Sequence, residues 1–513
     1  MLTKTYSAAV VGVEALPVEV EVNATGHGDE SSVSIVGLPD TAIKESRDRI
    51  RSALMSCGYG HPKGSTLVNL APADMKKEGS AFDLPIALSL IAANGTLPRE
   101  RLDDCLILGE LALNGTVRPV KGCLPVALLA RKMSSKIRTL IVPLENSPEG
   151  AVAGDRVRVY AVSSLQEAAA AVRGELRPLT KESTRLFSEP DWDGIPDFAD
   201  VKGQFMAKRA LEIAAAGGHN VLFIGPPGTG KSMLAKRLPG ILPPMTEEEA
   251  LDTSRIYSVL GLLDSRHPLL KRRPFRAPHH TVSDAGLLGG GTNPQPGEIS
   301  LAHNGVLFLD ELPEFKRSVL ETLRQPIESG VVTVSRAAGS FDFPCEFILL
   351  AAMNPCPCGH YGDRLHTCRC GQKRIQDYRS KISGPLLDRI DLHVEVSSLT
   401  EKELLSAPDG ENSATIRERV IQARNIQNER FKNSRKVKCN ARMEPAEINK
   451  YCKITMDAKV QLRHTILEFG LSARAYDRIL RVARTVADLD GAADISSEHI
   501  FEAINYRSLD RRL

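Results

Sequence analysis

The feature that most limits how this chain can fold is a glycine-rich turn between an apolar strand and a helix. In the run NVLFIGPPGTGKS, the apolar stretch Asn220–Ile224 suits a buried parallel strand, and the helical stretch MLAKRL follows. The spacing G-x-x-x-x-G-K-[ST] is that of a phosphate-binding loop, in the strand–loop–helix context that the motif requires. The sequence therefore predicts an α/β domain whose phosphate loop consists of Gly225, Pro226, Pro227, Gly228, Thr229, Gly230, Lys231 and Ser232.

This loop predicts ATP and Mg²⁺ as ligands. Its glycines let backbone N–H groups converge on phosphate oxygens, and the helix N-terminus adds positive potential. Lys231 supplies a charge for the β and γ phosphates, and Ser232 supplies a hydroxyl for Mg²⁺. A chance glycine-rich turn is the alternative, and the flanking strand and helix argue against it.

Two further strand ends carry polar residues. The apolar run Val306–Leu309 ends in Asp310 and Glu311. Asp310 would act on the metal through its water shell, and Glu311 would orient and deprotonate the attacking water. A third run, Phe347–Ala352, leads to Asn354, which can hydrogen-bond the γ-phosphate or the water. Asn before Pro is also a common turn residue.

The rest of the chain divides by composition. Residues 1–175 alternate β-rich runs with amphipathic stretches, 176–196 form a proline-rich charged linker, 197–398 repeat strand–loop–helix units, and 399–513 are helical. Asp40 suits a helix N-cap. The predicted helices are Asp40–Cys57, Ala81–Ala93, Ser318–Ser329, Ile416–Phe431, Met456–Phe469, Ala473–Ala487 and Ser497–Tyr506.

Composition narrows the cellular setting. The net charge is +3, with a basic surplus in the last quarter of the chain that favours a polyanionic partner, although a solvated helical face also explains it. No apolar run reaches about 18 residues, and charges and a proline break the opening segment. The expectation is a cytoplasmic protein without a membrane partner.

One cysteine cluster stands out. Cys356, Cys358, Cys368 and Cys370 have the pattern C-x-C…C-x-C. Four thiols this close together are compatible with a closed, structural tetrahedral Zn²⁺ site. A single intervening residue makes chelation tighter than C-x-x-C, so free thiols in a surface loop, or a disulfide formed after purification, stay as alternatives.

The motif order resembles the AAA+ ATPases, and within them the Mg-chelatase-like branch. It runs GPPGTGKS, VLFLDELPEF, ILLAAMNP, SGPLLDRIDLHVEV and LSARAYDRILRVARTVADL. The runs Phe275–Gly291 and Lys76–Leu88 are similar to the ComM/YifB family of competence-related proteins. This resemblance covers essentially the whole chain. It implies an N-terminal Lon-protease-like α/β domain, a P-loop AAA+ core with a parallel sheet and a C-terminal α-helical lid.

The resemblance also implies roles for three residues. Asn354 matches sensor 1, Arg389 matches an arginine finger that reaches a neighbour's γ-phosphate, and Arg474 matches the sensor 2 arginine of the lid. The alternatives are an ion pair of Arg389 with Asp388 or Asp391, and a solvated helix face for Arg474. The family further implies a homo-oligomer in the form of a hexameric ring.

Two segments of the core resemble insertions of this branch. The glycine-rich run Leu287–Thr292 resembles the helix-2 insert, and local hydrogen bonds are expected for His279 and His280 just before it. The run VVTVSRAAGSFDFP predicts a β-hairpin similar to the pore hairpin of the related MCM replicative helicases. Arg336, near its tip, falls where those hairpins carry a basic DNA contact, although a single hairpin arginine is often only solvated.

The front domain does not match an active protease. Aligned on Gly79, the Lon nucleophile position holds Ala81, Ser80 falls one residue early, and Leu124 occupies the position of the base lysine. A Ser–Lys dyad needs both groups within hydrogen-bond reach, so this domain is expected to be non-proteolytic.

The favoured function is therefore an ATP-dependent DNA motor, a helicase or branch-migration enzyme that the resemblance links to recombination during natural transformation. A chelatase motor subunit that drives metal insertion, an ATP-dependent protease and a nucleotide-binding scaffold are the alternatives.

Overall fold

The computed structural model describes residues 2–25, 32–75, 77, 79–180, 192–264, 269–291, 294–336, 339–401, 403, 410–434, 436–469 and 472–507. The chain forms two compact units. One consists of Met1–Glu189 with Thr246–Lys271, and the other of Pro190–Met245 with Arg272–Leu513. Within the described residues, no helix is both long and apolar enough to cross a membrane.

The first unit is built on a seven-stranded mixed sheet. Valine and glutamate alternate in the strand Glu14–Ala24, the second along the chain, and this buries Val18, Val20 and Val22 on one face of the sheet. That strand pairs antiparallel with the first strand of the chain over ten residue pairs, from Leu2–Asn23 to Val11–Glu14. The strands lie in the order Ser32–Val36, Ser65–Ala71, Glu14–Ala24, Leu2–Val11, Cys105–Ile107, Thr139–Pro143 and Arg158–Val162. A two-stranded ribbon adds Glu110–Leu111 and Val117–Arg118.

Helices of the first unit pack on this sheet. The predicted N-cap is confirmed, because the Asp40 carboxylate accepts a hydrogen bond of 2.8 Å from the Ile43 N–H. The predicted helix from Ala81 instead begins as a 3₁₀ turn, Ser80–Phe82, before the α-helix proper. The helices are Thr41–Ser56, Asp83–Ala93, Cys123–Lys132, Ser147–Ala151, Leu165–Arg173 and Glu247–Leu260.

The last of these helices is remote in sequence. The sequence pattern placed 246–271 inside the 197–398 core, but the segment belongs to the first unit. Its Ser258 accepts backbone N–H bonds from Gly122, through its carbonyl, and from Leu124, through its hydroxyl at 3.2 Å. Leu269 and Leu124 share a small apolar cluster. These long-range contacts decide where the segment packs, and no local pattern could show them.

The second unit contains the predicted parallel sheet. Five parallel strands lie in the order Phe275–Arg276, Val306–Leu309, Ile348–Met353, Val221–Ile224 and Leu392–Glu395. Every residue of Val221–Ile224 is buried, as the apolar run predicted. Because the strands are parallel, the polar residues that follow them gather at one edge of the sheet.

Short helices surround this sheet. The predicted helix Ser318–Ser329 is divided into Arg317–Thr322 and Arg324–Ser329. Pro326 explains the break, because its ring clashes with the carbonyl of Thr322 and it lacks the N–H that would bond there. The helices are Phe205–Gly217, Lys231–Ala235, Leu238–Ile241, Asp284–Leu288, Glu298–Leu301, Arg317–Thr322, Arg324–Ser329, Gln372–Arg379 and Gly384–Leu387.

The C-terminal region is helical, as its apolar spacing predicted. Its helices are Ser413–Arg430, Pro445–Tyr451, Met456–Phe469, Ala473–Leu489 and Ser497–Asn505. The helix Ala473–Leu489 buries Ile479, Val482 and Val486. These side chains join one apolar core with the helix Phe205–Gly217 and the parallel sheet.

Candidate active site

The phosphate loop lies at the carboxyl edge of the parallel sheet. It leaves the strand Val221–Ile224, and a helix begins at Lys231. Gly228 and Gly230 adopt left-handed backbone angles, φ +78° and +87°, that other residues rarely take. These two glycines let the chain turn tightly enough for successive N–H groups to face the same volume.

The Lys231 ammonium is buried within the loop. Its Nζ donates hydrogen bonds to the carbonyl oxygens of Gly225 at 2.7 Å and Pro226 at 2.8 Å. Burial lowers the pKa of Lys231, and the negative charges of Asp310 and Glu311 oppose that shift. The loop therefore holds a buried cation whose present partners are neutral carbonyls, which suits it to bind an anion.

The predicted partners of the loop converge on it. Ser232 Oγ donates a 2.6 Å hydrogen bond to Asp310 Oδ2, so the hydroxyl and carboxylate expected for Mg²⁺ are adjacent. Asn354 Oδ1 accepts a hydrogen bond of 3.2 Å from Lys231 Nζ. Hydroxyl and carboxylate oxygens are ligands that Mg²⁺ prefers, so the residues present fit this ion.

Glu311 has an unusual backbone. It is a non-glycine residue at φ +53°, and such strain, roughly 1–3 kcal/mol, is retained mainly at functional sites. Its side chain is 57% exposed, so water can reach the carboxylate. His280 Nδ1 lies 3.7 Å from Glu311 Oε2, a proximity that sequence reasoning missed. His279 makes the expected local contact, 2.9 Å to Thr281 Oγ1.

Arg389 and Arg474 lie elsewhere, near the amino ends of the strands. Asn220, just before the phosphate-loop strand, donates from Nδ2 to the Arg389 carbonyl at 3.0 Å. The phosphate loop begins at Gly225, five residues after Asn220. At a rise of about 3.3 Å per residue, these two residues lie roughly 16 Å apart. Both arginines line one cavity of about 320 Å³. The structure therefore brings these two predicted residues together but not to their own phosphate loop.

Arg389 has a partner that the sequence did not suggest. Its Nη2 lies 2.6 Å from Glu328 Oε1, and its Nη1 donates to the Pro385 carbonyl. Neither Asp388 nor Asp391 is bonded to its guanidinium in the described contacts. Asp391 instead accepts from Arg478 Nη1 at 2.8 Å.

Asp391 lies within a buried polar network. His219 Nδ1 lies 3.2 Å from Asp391 Oδ2, and its Nε2 lies 2.8 Å from Thr485 Oγ1. Burial alone would raise the pKa of Asp391, but the His219 hydrogen bond and the positive charge of Arg478 hold it below its ordinary value. This network joins the parallel sheet to the helix that carries Arg474.

The cavity is rich in charged groups of both signs. Besides Arg389 and Arg474 it is lined by three more arginines and four carboxylates: Arg442, Arg478, Arg481, Glu328, Asp391, Glu444 and Asp477. The spacing Arg474, Arg478, Arg481 places three guanidinium groups on one helix face, and this periodicity is the sequence signal that could have found them. Guanidinium groups suit a phosphate-bearing ligand, but here Arg389 and Arg478 are paired with Glu328 and Asp391.

The four cysteines come together next to the phosphate loop. The Cys356–Cys358, Cys356–Cys368 and Cys358–Cys368 sulfur separations are 3.4, 3.7 and 3.6 Å, and all four ligand atoms lie within 4.8 Å of one another. Zn–S bonds of about 2.3 Å imply tetrahedral edges of about 3.8 Å, so the arrangement fits zinc. Backbone N–H groups of His360 and Arg369 lower the pKa of the Cys358 thiol to about 6.

Gly359 brings this cluster against the phosphate loop. A Cβ atom there, at φ +85°, would lie 2.6 Å from Pro227 Cδ. Only glycine allows this close approach. The cysteine segment therefore packs against the phosphate loop at Pro227.

The predicted hairpin is present. Its strands Val331–Arg336 and Gly339–Pro344 pair antiparallel, with Arg336 opposite Gly339. The tip residues 337–338 and the Arg336 side chain lie outside the described part of the chain.

In the first unit, Ser80 Oγ donates to the Glu110 carboxylate. Leu124, which the Lon resemblance aligns with the base lysine, is fully buried.

Three family models match: "Magnesium chelatase, subunit ChlI" over residues 197–404, "Subunit ChlI of Mg-chelatase" over 18–146, and "Magnesium chelatase, subunit ChlI C-terminal" over 410–507. A magnesium-chelatase 67 kDa subunit of Heliobacterium mobile is 29% identical over 198 residues, covering 33% of this chain and 30% of its own. The fold and site thus define a Mg-chelatase-like AAA+ ATPase.

Full-length relatives narrow this class. The competence protein ComM of Haemophilus influenzae is 45% identical over 514 residues, covering 99% of this chain and 98% of its own. The protein YifB of Salmonella typhimurium is 44% identical over 513 residues, covering 99% and 97%. The chain belongs to the ComM/YifB family.

Proposed function

We propose that this chain is an ATP-driven DNA motor whose catalytic centres form between neighbouring copies of the chain. The observation that carries this proposal is the separation of the phosphate loop from Arg389 and Arg474 across the parallel sheet. In one protomer these guanidinium groups lie near the amino ends of the strands, whereas the phosphate loop lies at their carboxyl ends. A second copy can supply them, which supports a homo-oligomer. That this oligomer is a hexameric ring is what the family resemblance implies.

On one protomer, the carboxyl edge of the sheet binds the nucleotide. The ATP phosphates replace the carbonyl partners of Lys231 with anionic ones. Ser232 and Asp310 would hold Mg²⁺, Asp310 through the ion's water shell, and the ion would supply positive charge near the phosphates. Glu311 accepts a proton from the attacking water, and Asn354 orients that water or the γ-phosphate.

The neighbouring protomer completes the centre with its arginine cavity. Arg389 and Arg474 stabilise the charge that spreads over the phosphoryl oxygens during cleavage. The network of Asp391, His219 and Arg478 fixes the sheet relative to the helix of Arg474. Hydrolysis therefore depends on assembly and on the relative position of two protomers.

The hairpin Val331–Pro344 is the candidate DNA contact. It follows the helix Arg324–Ser329, whose Glu328 contacts Arg389, so the arginine cavity and the hairpin share one helix. Arg336 near the tip would bind backbone phosphate. The name of the relative ComM, a competence protein, supports a role in DNA recombination during natural transformation, as a helicase or branch-migration enzyme.

The remaining parts support the motor. We assign structural zinc to Cys356, Cys358, Cys368 and Cys370, where it would hold the segment next to the phosphate loop. Residues 1–175 are proposed to be a Lon-protease-like domain without protease activity, and 399–513 the helical lid. None of the ten cysteines forms a disulfide bond in the described residues, which favours a reducing cytoplasm.

A mixing experiment tests the shared centre. Arg389→Ala keeps an intact phosphate loop, and Lys231→Ala keeps an intact arginine cavity. Each variant alone should be inactive, whereas a mixture should recover part of the ATPase rate because some interfaces combine the two intact halves. Absence of any recovery in a mixture that co-assembles would contradict catalysis across the interface.

DNA dependence is tested on the wild-type assembly. ATPase rates are measured with and without forked and four-way-junction DNA, together with strand displacement. DNA-stimulated turnover and junction movement support the motor. DNA-independent ATPase without movement would favour a chelatase-type motor instead, the alternative suggested by the family match over 197–404.

A further inference from the structure

The loop between Cys358 and Cys368 brings two imidazoles to one carboxylate. His360 Nδ1 and His366 Nδ1 lie 3.2 and 3.1 Å from the same oxygen, Asp363 Oδ2. The two imidazole rings are 4.9 Å apart. One ligand atom from each of the three residues lies within 4.8 Å of the others. This arrangement is independent of the four sulfur atoms that flank it.

The exposure of these groups differs sharply. The Asp363 side chain is 1% exposed, whereas that of His366 is 65% exposed. A buried carboxylate requires compensating partners, and Asp363 obtains them from both imidazoles and, at Oδ1, from the Leu365 N–H at 3.2 Å. The exposed side of the cluster remains open to water.

The separations match a metal coordination shell. Two imidazole nitrogens and a carboxylate oxygen are a ligand set that borderline divalent ions accept. Zinc bonds of about 2.0–2.1 Å to nitrogen and oxygen imply tetrahedral edges of about 3.3 Å, close to the two N–O separations. We propose that His360, Asp363 and His366 bind a second divalent cation of the zinc type, with water in the fourth position.

The metal would bind the two nitrogen atoms that now donate to Asp363. In the metal-free state both Nδ1 atoms must carry a proton for Asp363 Oδ2 to accept two hydrogen bonds. When each neutral imidazole transfers that proton through solvent to its own Nε2, both Nδ1 lone pairs become free, and a cation can bind the same three atoms with little movement of the loop. Because His360 follows Gly359, which packs on Pro227, the ion would also stiffen the segment next to the phosphate loop.

Cobalt titration of the metal-stripped full-length protein tests this site. Co²⁺ bound by thiolates gives an intense near-ultraviolet charge-transfer band, whereas Co²⁺ bound by nitrogen and oxygen gives only weak visible bands. Two Co²⁺ per chain are expected, one of each kind. His366→Ala should weaken Co²⁺ binding at the nitrogen–oxygen site at least about tenfold and should leave the thiolate band unchanged. Tenfold is the lower end of the loss in metal affinity when even an outer-shell partner of a ligand is removed.

Controls separate this proposal from the zinc assignment. His464→Ala, at an exposed histidine on the helix Met456–Phe469, should leave both signals unchanged. His366→Gln, which keeps a polar side chain, serves as a second variant. A thiolate band alone, or variants that titrate like wild type, would overturn the second site. Visible bands that depend on His366, without a thiolate band, would support it and count against zinc at the cysteines.

Discussion

In the proposed mechanism, Glu328 would compete with phosphate for Arg389. Its carboxylate oxygen lies 2.6 Å from Arg389 Nη2, the guanidinium nitrogen that would otherwise be free to bind a phosphoryl oxygen of a neighbouring protomer. The replacement Glu328→Gln removes the charge and keeps the size of the side chain. We therefore expect the variant to release Arg389 for catalysis and to raise the ATPase rate of the assembled protein.

The size of this increase follows from exposure. The Arg389 side chain is 10% exposed and that of Glu328 59%, so water screens the pair. Exposed ion pairs contribute about 0.2–1 kcal/mol. If Arg389 loses that free energy when it leaves Glu328 for the γ-phosphate, the ATPase rate of Glu328→Gln should be between about 1.4-fold and fivefold higher than that of the wild type.

The assay is phosphate release at saturating ATP and fixed protein concentration, with the oligomeric state checked in parallel. Glu321→Gln is the matched control, since Glu321 on the preceding helix pairs with Arg324 at 2.7 Å and does not contact Arg389 in the described contacts. A rate that falls in Glu328→Gln but not in the control would refute competition. It would show that Glu328 orients Arg389 instead.

Two further predictions concern the catalytic base and a buried histidine. Glu311→Gln should bind ATP normally and release phosphate at least about 100-fold more slowly, because the water loses its general base. Normal turnover in Glu311→Gln would exclude Glu311 as the base. Lys231→Ala should instead lose binding of a fluorescent ATP analogue. Burial, aided by the positive charge of Arg507, lowers the pKa of His393 to about 3. The neutral form is thus favoured in the fold, and wild-type stability should fall as the pH drops below about 6.5, by about 1.4 kcal/mol between pH 7.5 and 5.5. Urea unfolding of His393→Leu should lack that part of the pH dependence, and an equal loss in both proteins would contradict it.

Local patterns were sufficient for the elements that build the phosphate site. The strand Val221–Ile224, the acids after Val306–Leu309 and the glycines of the loop follow from residue type and spacing. The same holds for the helix that begins after Asp40 and for the amphipathic helix from Ala473. In each case the determining interactions lie within about four residues or one helical turn.

Contacts remote in sequence could not be read in the same way. Packing of 246–271 with the first unit depends on Leu124, more than a hundred positions earlier. The pairing of Arg389 with Glu328 and the approach of His280 to Glu311 depend on which strand ends become neighbours. Only Pro326, which interrupts the predicted helix, was a local signal that the helical periodicity concealed.

The strand Val221–Ile224 has only four residues, and its ends serve different purposes. One end continues into the phosphate loop, while Asn220 at the other end holds the backbone of Arg389. The strands Ile348–Met353 and Leu392–Glu395 pair with all four residues of Val221–Ile224, which makes this strand rigid. In the proposed mechanism, a displacement that nucleotide binding produces at one end of the strand would reach Arg389 at the other end, which would favour sequential over independent hydrolysis in adjacent centres.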